Sequence, residues 1–295
     1  MSSTYWVSGR EDFSEESRTV LNEFLLSLKL ANKAEATITK YRRIVETFLT
    51  ECKIPLDSIT ADDVLGWLSY FSSGKKETTV VLYLSCLSSF FEFCLEEEWM
   101  EERVMKKRWR PKITEALPKY LTEEEYAKVR RAAEELPVRD RALILLLFSS
   151  GCRRGELCNL QIEDINLDQR SAQVTGKGIK IRTIHFSVEC AIVLEDHLSS
   201  RNDPQTGPLF MNKFGQALGP SGVFKVINKL GKKAGLTQSL HPHVCRHTFA
   251  PNMLARGANI GFIAEELGHA DLNTTRVYAR IPTEDMMNAY QNKMG

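Results

Sequence analysis

The stretch SAQVTGKGIKIRTIHF, residues 171–186, interrupts a chain whose other long segments have helical patterns. Gly176 and Gly178 mark a turn, and strand-like residues precede it. After the turn, Ile181, Thr183 and His185 alternate with Arg182, Ile184 and Phe186. The stretch therefore predicts a small antiparallel hairpin, with Lys177 at its turn, in a mainly α protein.

The first hundred residues predict four helices. Apolar residues recur at helical spacing in two runs: Val20, Leu21, Phe24, Leu25, Leu28 and Leu30, then Tyr41, Ile44, Val45 and Phe48. Thr60, with Asp63 three residues on, suits the N-cap of a third helix. TTVVLYLSCLSSFFEFCLEEEWM predicts a long fourth helix. We expect a helical bundle over residues 15–102, after an N-terminal extension of residues 1–14.

A basic stretch, RVMKKRWRPK, follows the predicted bundle at residues 103–112. With Pro111 and Pro118, it favours an extended linker over residues 103–119. The charge has two readings, a solvated linker or a strap laid along phosphates. The candidate DNA-contacting residues are Lys106, Lys107, Arg108, Arg110 and Lys112.

The rest of the chain, residues 120–295, predicts a second domain. LTEEEYAKV places Thr122 and Glu125 as a capping box, and RDRALILLLFSSG predicts a buried helix that stops at Gly151. A short helix carrying Arg153 follows. After the hairpin the pattern returns to helix, so the fold class is mainly α with a small antiparallel β-sheet in a mixed α/β second domain.

Bulk properties exclude several classes of protein. The 295 residues suit two domains, and no stretch approaches the ~18 consecutive apolar residues of a membrane span. Because the start of the chain does not resemble a secretory signal, we expect a cytoplasmic protein. Seven scattered cysteines argue for reduced thiols rather than disulfides. A net charge of +1 does not by itself indicate a nucleic-acid partner.

Several polar residues are candidates for a site, although each has an ordinary explanation. Arg153 and Glu156 have the spacing of a helix-surface ion pair. Lys177 suits a solvated turn, and Tyr278 suits a buried aromatic anchor. His243 and Arg246 lie one turn apart on a helix that Pro242 begins, and His269 follows the helix-ending Gly268.

Zinc is a further reading of the histidines, because His241 and His247 lie beside His243. We expect no metal there. Zinc needs three or four ligands, Cys245 points away from the His243 face, and the charge of Arg246 would repel the ion.

Taken together, the motifs resemble the active-site signature of the tyrosine recombinase (integrase) family. LGHADLNTTRVYAR is similar to the family's L-G-H and T-T-x-x-Y box, and HPHVCRHTFA to its H-x-L-R-H-T-F-A box. SGCRRGEL and GKGIKIR match two further motifs, and the helical first hundred residues resemble the core-binding domain. The simple two-domain layout resembles Xer-type or small mobile-element recombinases.

The resemblance implies a role for each candidate residue. Tyr278 would be the nucleophile, Arg153 and Arg246 the phosphate clamp, and Lys177 the general acid. His243 and His269 would complete the pocket, with Glu156 in support. Cys245 and Pro251 depart from the family pattern, and YAR replaces the commoner Y-x-H. We expect Pro251 to kink its helix near His247.

The resemblance also implies partners. We expect double-stranded DNA as the substrate, no cofactor or metal, and a homotetramer on two DNA sites that is a monomer off DNA. The tail from residue 279 would either dock on a neighbouring protomer or cover its own core. Two alternatives stay open, namely a type IB topoisomerase-like enzyme that relaxes DNA and a catalytically silent DNA-binding accessory protein.

Overall fold

The computed structural model describes residues 4–111, 118–176, 180–201, 206–268, 273–276 and 278. By internal contacts the chain divides into two compact units, Met1–Glu115 and Ala116–Gly295. Each unit has its own apolar core.

The first unit is built from four helices, as the sequence predicts. They are α1 (Glu15–Leu30), α2 (Glu35–Cys52), α3 (Ala61–Ser72) and α4 (Glu77–Glu96). Thr60 and Asp63 form the predicted capping box at the start of α3, which satisfies backbone N–H groups that lack intrahelical partners. The core between the helices is rich in aromatic rings: Phe24, Phe48, Trp67, Phe90 and Phe91.

Helix α4 is long and apolar enough, by length and composition, to cross a membrane. Leu84, Leu87, Phe90 and Phe91 on this helix are buried in the core of the first unit. A core helix of this kind meets the same criteria as a membrane span.

The basic stretch is more structured than the extended linker that its prolines predict. Val104 is buried and Trp109 packs against the core of the first unit, with a 3₁₀ turn at Lys107–Trp109. Lys106, Arg108 and Arg110 are exposed. The apolar residues between the cations therefore anchor the stretch while the charges face solvent.

The second unit contains eight helices among its described residues: α5 (Glu123–Glu134), α6 (Val138–Ser150), α7 (Arg154–Asn159), α8 (Val188–Ser199), α9 (Pro220–Lys233), α10 (Pro242–Ala255), α11 (Ile260–Leu267) and α12 (Asn273–Arg276). Helix α6 is buried on nearly every side, as its apolar run predicts. Helix α10 starts at Pro242 and continues through Pro251.

A three-stranded antiparallel sheet joins these helices. It comprises β1 (Ile165–Asn166), β2 (Ser171–Thr175) and β3 (Ile181–His185), in the order β1-β2-β3. Strands β2 and β3 form the predicted hairpin, with Ala172 opposite Ile184. Ile184 points into the core while Thr183 and His185 are exposed, so the predicted alternation is confirmed. The sequence analysis missed β1, which is only two residues long.

All seven cysteines are free thiols, as expected. Five of them are buried in the two cores, namely Cys86, Cys94, Cys152, Cys190 and Cys245. Burial raises the pKa of the Cys152 thiol to about 11, so the thiol stays protonated near pH 7.

Candidate active site

Arg153 and Glu156 lie where the chain leaves α6 and enters α7. Gly151 ends α6 in the left-handed conformation, with φ of +60°. Residues with a side chain rarely adopt this conformation, so glycine suits the position. Arg153 is then the N-cap of α7, and its backbone N–H donates to Glu156 Oε2 at 2.7 Å. Its Nη1 donates to Glu156 Oε1 at 2.8 Å. The pair predicted from spacing is therefore formed around a buried carboxylate.

Arg246 on α10 connects the ends of two other helices. Its Nη1 donates to the carbonyl of Gly151 at 2.6 Å, and its Nη2 donates to the carbonyl of Leu267 at 2.5 Å. The residue is 5% exposed, and burial lowers the pKa of its guanidinium to about 10. Arg246 therefore stays charged at neutral pH inside the unit.

The two arginines meet at the C-terminus of α11. Arg153 Nη2 donates to the carbonyl of Gly268 at 3.0 Å, next to the Leu267 carbonyl that Arg246 uses. Carbonyl groups at a helix C-terminus carry partial negative charge and attract cations. The positive charge of Arg153 helps to lower the pKa of Arg246, so the two groups also interact electrostatically. The structure thus brings together Arg153, Glu156 and Arg246.

Tyr278 is a buried ring whose hydroxyl has a polar partner. The residue is 2% exposed and packs in a small cluster with Phe249, Ala250, Ile263 and Leu267. Its Oη lies 2.5 Å from Nδ1 of His247. Burial raises the pKa of the Tyr278 phenol, and the charge of Arg246 acts in the opposite direction. Helix α12 (Asn273–Arg276) lies just before Tyr278 in the sequence.

His247 is the imidazole that the sequence analysis considered only as a zinc ligand. Burial, together with the charges of His243 and Arg246, lowers the pKa of His247 to about 4. The ring is therefore neutral at pH 7. His247 follows Arg246 directly and lies one turn after His243, and this placement is the sequence signal that could have identified it.

His243 lies on the same side of α10 but is exposed. Its ring centroid lies 6.2 Å from that of His247. Burial is the first cause of a lowered pKa at His243. The resemblance places His243 in the pocket, whereas within the described part of the chain the contact with the Tyr278 hydroxyl belongs to His247.

Arg182 is a second site residue, which the sequence analysis included in the hairpin pattern and as the last residue of the GKGIKIR motif but gave no role. It lies on β3, and its Nη2 donates to Glu156 Oε2 at 3.1 Å. Glu156 is therefore shared between Arg153 and Arg182. The alternation of the strand puts Arg182 on the same side as the buried Ile184, and a charged residue on a buried face is a signal of function.

Other predicted residues fall outside the described part of the chain. These are Lys177, His269 and Lys112, together with the side chain of Lys107 and the tail from residue 279. Their roles stay predictions.

The site as a whole has the character of an anion pocket. Arg153, Arg182 and Arg246 interact electrostatically, and Glu156 is the carboxylate that contacts two of them. A buried tyrosine hydroxyl lies close enough for Arg246 to affect its pKa. Such a cluster suits an enzyme that acts on a phosphate group.

Comparison with known proteins agrees with this class. The phage integrase family matches residues 119–284, and the family's N-terminal SAM-like domain matches residues 20–101. Tyrosine recombinase XerA of Pyrococcus furiosus is 36% identical over 277 residues, covering 92% of this chain and 93% of the relative.

Two solved structures have the same fold. The crystal structure of XerA recombinase matches with 29% identity and a TM-score of 0.54, covering 94% of this chain and 98% of that one. XerH site-specific recombinase bound to palindromic difH substrate, a post-cleavage complex, matches with 21% identity and a TM-score of 0.75, covering 98% and 92%. The chain therefore belongs to the phage integrase family, the tyrosine recombinases, and the resemblance seen in its motifs is confirmed.

Proposed function

We propose that this protein is a site-specific DNA recombinase that cleaves and rejoins DNA strands through Tyr278. One observation carries the proposal. Leu267 packs its side chain against the Tyr278 cluster, and its carbonyl accepts a hydrogen bond from Arg246. Arg153 bonds the next carbonyl, at Gly268. A single turn therefore links the tyrosine to both arginines that the family motifs identify as a phosphate clamp.

The phosphate of a DNA strand would bind beside these arginines. Arg153 keeps 38% of its side chain exposed, which leaves part of its guanidinium open to a ligand. Guanidinium groups bind phosphate oxygens through paired, charge-assisted hydrogen bonds. The excess of arginine over carboxylate gives the pocket positive charge, which an entering phosphodiester would neutralise.

In the cleavage step, Tyr278 Oη attacks the phosphorus and the bond from phosphorus to the 5′-oxygen breaks. The strand is left with a 3′-phosphotyrosyl bond and a free 5′-hydroxyl. A 5′-hydroxyl from another strand then reverses the step, so the energy of the phosphodiester bond is kept and no cofactor is needed. Lys177 on the hairpin would give the leaving 5′-oxygen its proton, and His243 and His269 would complete the pocket.

The phenol proton must leave during the attack. Ionising an ordinary tyrosine at pH 7 costs about 4 kcal/mol, and burial of Tyr278 adds to that cost. His247 accepts or shares the proton as a neutral imidazole at 2.5 Å. Its low pKa makes it a weak base without DNA, and the negative charge of an entering phosphate would raise that pKa.

The arginines act most strongly in the transition state, where extra negative charge spreads over the nonbridging oxygens. Each such donor contributes about 3 kcal/mol, so loss of either arginine should slow cleavage on the order of a hundredfold or more. Fixed cations also supply the charge stabilisation for which other phosphoryl-transfer enzymes use a metal ion.

DNA binding involves both units in this proposal. The core-binding domain, residues 15–102, and the catalytic domain, residues 120–295, would contact the duplex, with the basic stretch of residues 103–119 along the phosphates. Lys106, Arg108 and Arg110 are exposed and suited to this role. We further propose a cytoplasmic protein that is a monomer off DNA and a tetramer on two sites, with the tail from residue 279 at the subunit contacts.

The test begins by selecting duplexes bound by Tyr278→Phe protein from a random pool. The selected site is then nicked near each candidate phosphate, so that cleavage releases a short fragment and traps the covalent complex. Wild-type protein should give a protein–DNA adduct, and Tyr278→Phe should give none. The matched control is Tyr70→Phe, which should also give the adduct, because Tyr70 is 81% exposed.

The other readings are outcomes of the same test. Binding without an adduct from wild type identifies an accessory protein. An adduct accompanied by relaxation of supercoils, without exchange between two site-bearing duplexes, identifies a topoisomerase.

A further inference from the structure

Arg182 is mostly buried and interacts electrostatically with Arg153 and Arg246. It is the second residue of β3, and its side chain is 16% exposed. Its Nη2 donates to Glu156 Oε2 at 3.1 Å and lies 3.4 Å from the carbonyl of Leu267. Arg182 therefore contacts both the carboxylate that orients Arg153 and the turn that Arg246 bonds.

The same side chain lies directly against Gly268. A Cβ added to Gly268 would lie 2.4 Å from Nε of Arg182 and 2.8 Å from its Cδ. Gly268 also has φ of +61°, in the left-handed region. The side chain of Arg182 therefore packs against the residue that caps the C-terminus of α11.

Stability alone does not account for an arginine at this position. Nε and Nη1 of Arg182 are buried and have no hydrogen-bond partner among the residues that the structure describes. Burial is the first cause of its lowered pKa, and the charge of Arg153 adds to it. A buried donor without a partner destabilises the folded state. A charged side chain whose buried donors lack partners is typical of a functional site.

We propose that Arg182 is a positioning residue for the recombinase reaction. It holds Glu156, and through Glu156 it holds Arg153, while its contact with Gly268 fixes the C-terminal end of α11. It acts on the reacting phosphate through these residues. The inference rests on the proposed function, since it assigns Arg182 a part in the same cleavage step.

The experiment compares single-turnover adduct formation on the nicked, selected duplex by wild type, Arg182→Met and Arg182→Lys. Arg131→Met, at an exposed arginine on α5, is the matched control. DNA affinity is measured in the Tyr278→Phe background, and the unfolding midpoint of each variant is recorded. Glu156→Gln and the double variant Arg182→Met/Glu156→Gln complete a double-mutant cycle.

We expect Arg182→Met to slow adduct formation by about tenfold to a hundredfold, because small displacements of reacting groups have effects of this size. DNA affinity should stay within about twofold, since Arg182 does not touch the duplex in this account. Arg182→Lys keeps the charge but loses the planar fork, so it should fall between Arg182→Met and wild type. The double variant should form the adduct at a rate within about threefold of that of Glu156→Gln alone.

Three results would overturn the proposal. The first is an equal rate of adduct formation by Arg182→Met and Arg131→Met. The second is a loss of activity by Arg182→Met that is explained entirely by weaker DNA binding. The third is a double variant in which the rate effects of Arg182→Met and Glu156→Gln multiply. If Arg182→Met does not fold, Arg182→Lys replaces it in the test. A wild-type rate of adduct formation by Arg182→Lys also overturns the proposal. Absence of an adduct from wild type would instead contradict the proposed function.

Discussion

Glu156→Gln tests the arrangement of the site with a change of one charge and almost no change of volume. The side chain of Glu156 is 2% exposed. Its carboxylate accepts from Arg153 Nη1 at 2.8 Å, from the Arg153 backbone N–H at 2.7 Å and from Arg182 Nη2 at 3.1 Å. A glutamine keeps one oxygen acceptor and turns an NH₂ group toward the donors of Arg153 and Arg182.

The expected loss of stability follows from these contacts. A hydrogen bond to a charged group contributes about 1.5–3 kcal/mol, and removing one partner of a buried ion pair costs about 3–5 kcal/mol. Because the neutral amide is easier to bury than a carboxylate, we expect about 3 kcal/mol. For a unit of this size, roughly 2–4 °C in Tm per kcal/mol gives a shift of about 6–12 °C.

The assay is thermal and urea unfolding followed by circular dichroism at pH 7. The matched control is Glu135→Gln, whose carboxylate is 70% exposed and lies 2.8 Å from Lys233 Nζ. An exposed pair of this kind is screened by solvent and should contribute little to stability. If Glu156→Gln unfolds within about 1 kcal/mol of the control, Glu156 is not the charged centre of a buried arginine cluster and the reasoning is refuted.

Three further predictions concern the same unit. Arg246→Lys lacks the planar fork with which Arg246 bonds the carbonyls of Gly151 and Leu267, so adduct formation should slow on the order of a hundredfold. An unchanged single-turnover rate would contradict the clamp. The unfolding free energy should fall as the pH drops from about 6.5 to about 4, since the unfolded chain protonates His247 before the folded one does. After allowance for solvent screening, the loss of unfolding free energy is roughly 1–2 kcal/mol. If His247 is responsible, the unfolding free energy of His247→Gln should fall less steeply over the same pH range. Adduct formation in EDTA should stay within about twofold of the untreated rate, and a loss restored by added Mg²⁺ would count against catalysis by fixed cations alone.

Much of the fold follows from local sequence signals. Capping boxes mark the starts of α3 and α5 at Thr60 and Thr122, and Gly151 ends the apolar run of α6. Each of these signals depends on residues close in the chain. Strand β1 gave no such signal, since two residues are too short for a pattern. The anchoring of Val104 and Trp109 on the first unit is likewise a tertiary effect that composition does not reveal.

The residues of the site were likewise only partly predictable from local sequence signals. Motifs identified Arg153, Glu156, Arg246 and Tyr278, and the structure brings all four to one region. The partner of the Tyr278 hydroxyl depends on contacts between residues 31 positions apart, and local spacing does not distinguish His247 from His243 in that role. The bond of Arg182 to Glu156 likewise spans 26 positions. Both contacts arise from packing of distant elements.

Mass spectrometry of the trapped protein–DNA adduct tests the central claim most directly. After nuclease digestion of the DNA, the account predicts a peptide carrying a 3′-linked nucleotide on Tyr278. A nucleotide on any other residue, or an adduct that persists in Tyr278→Phe, would contradict it.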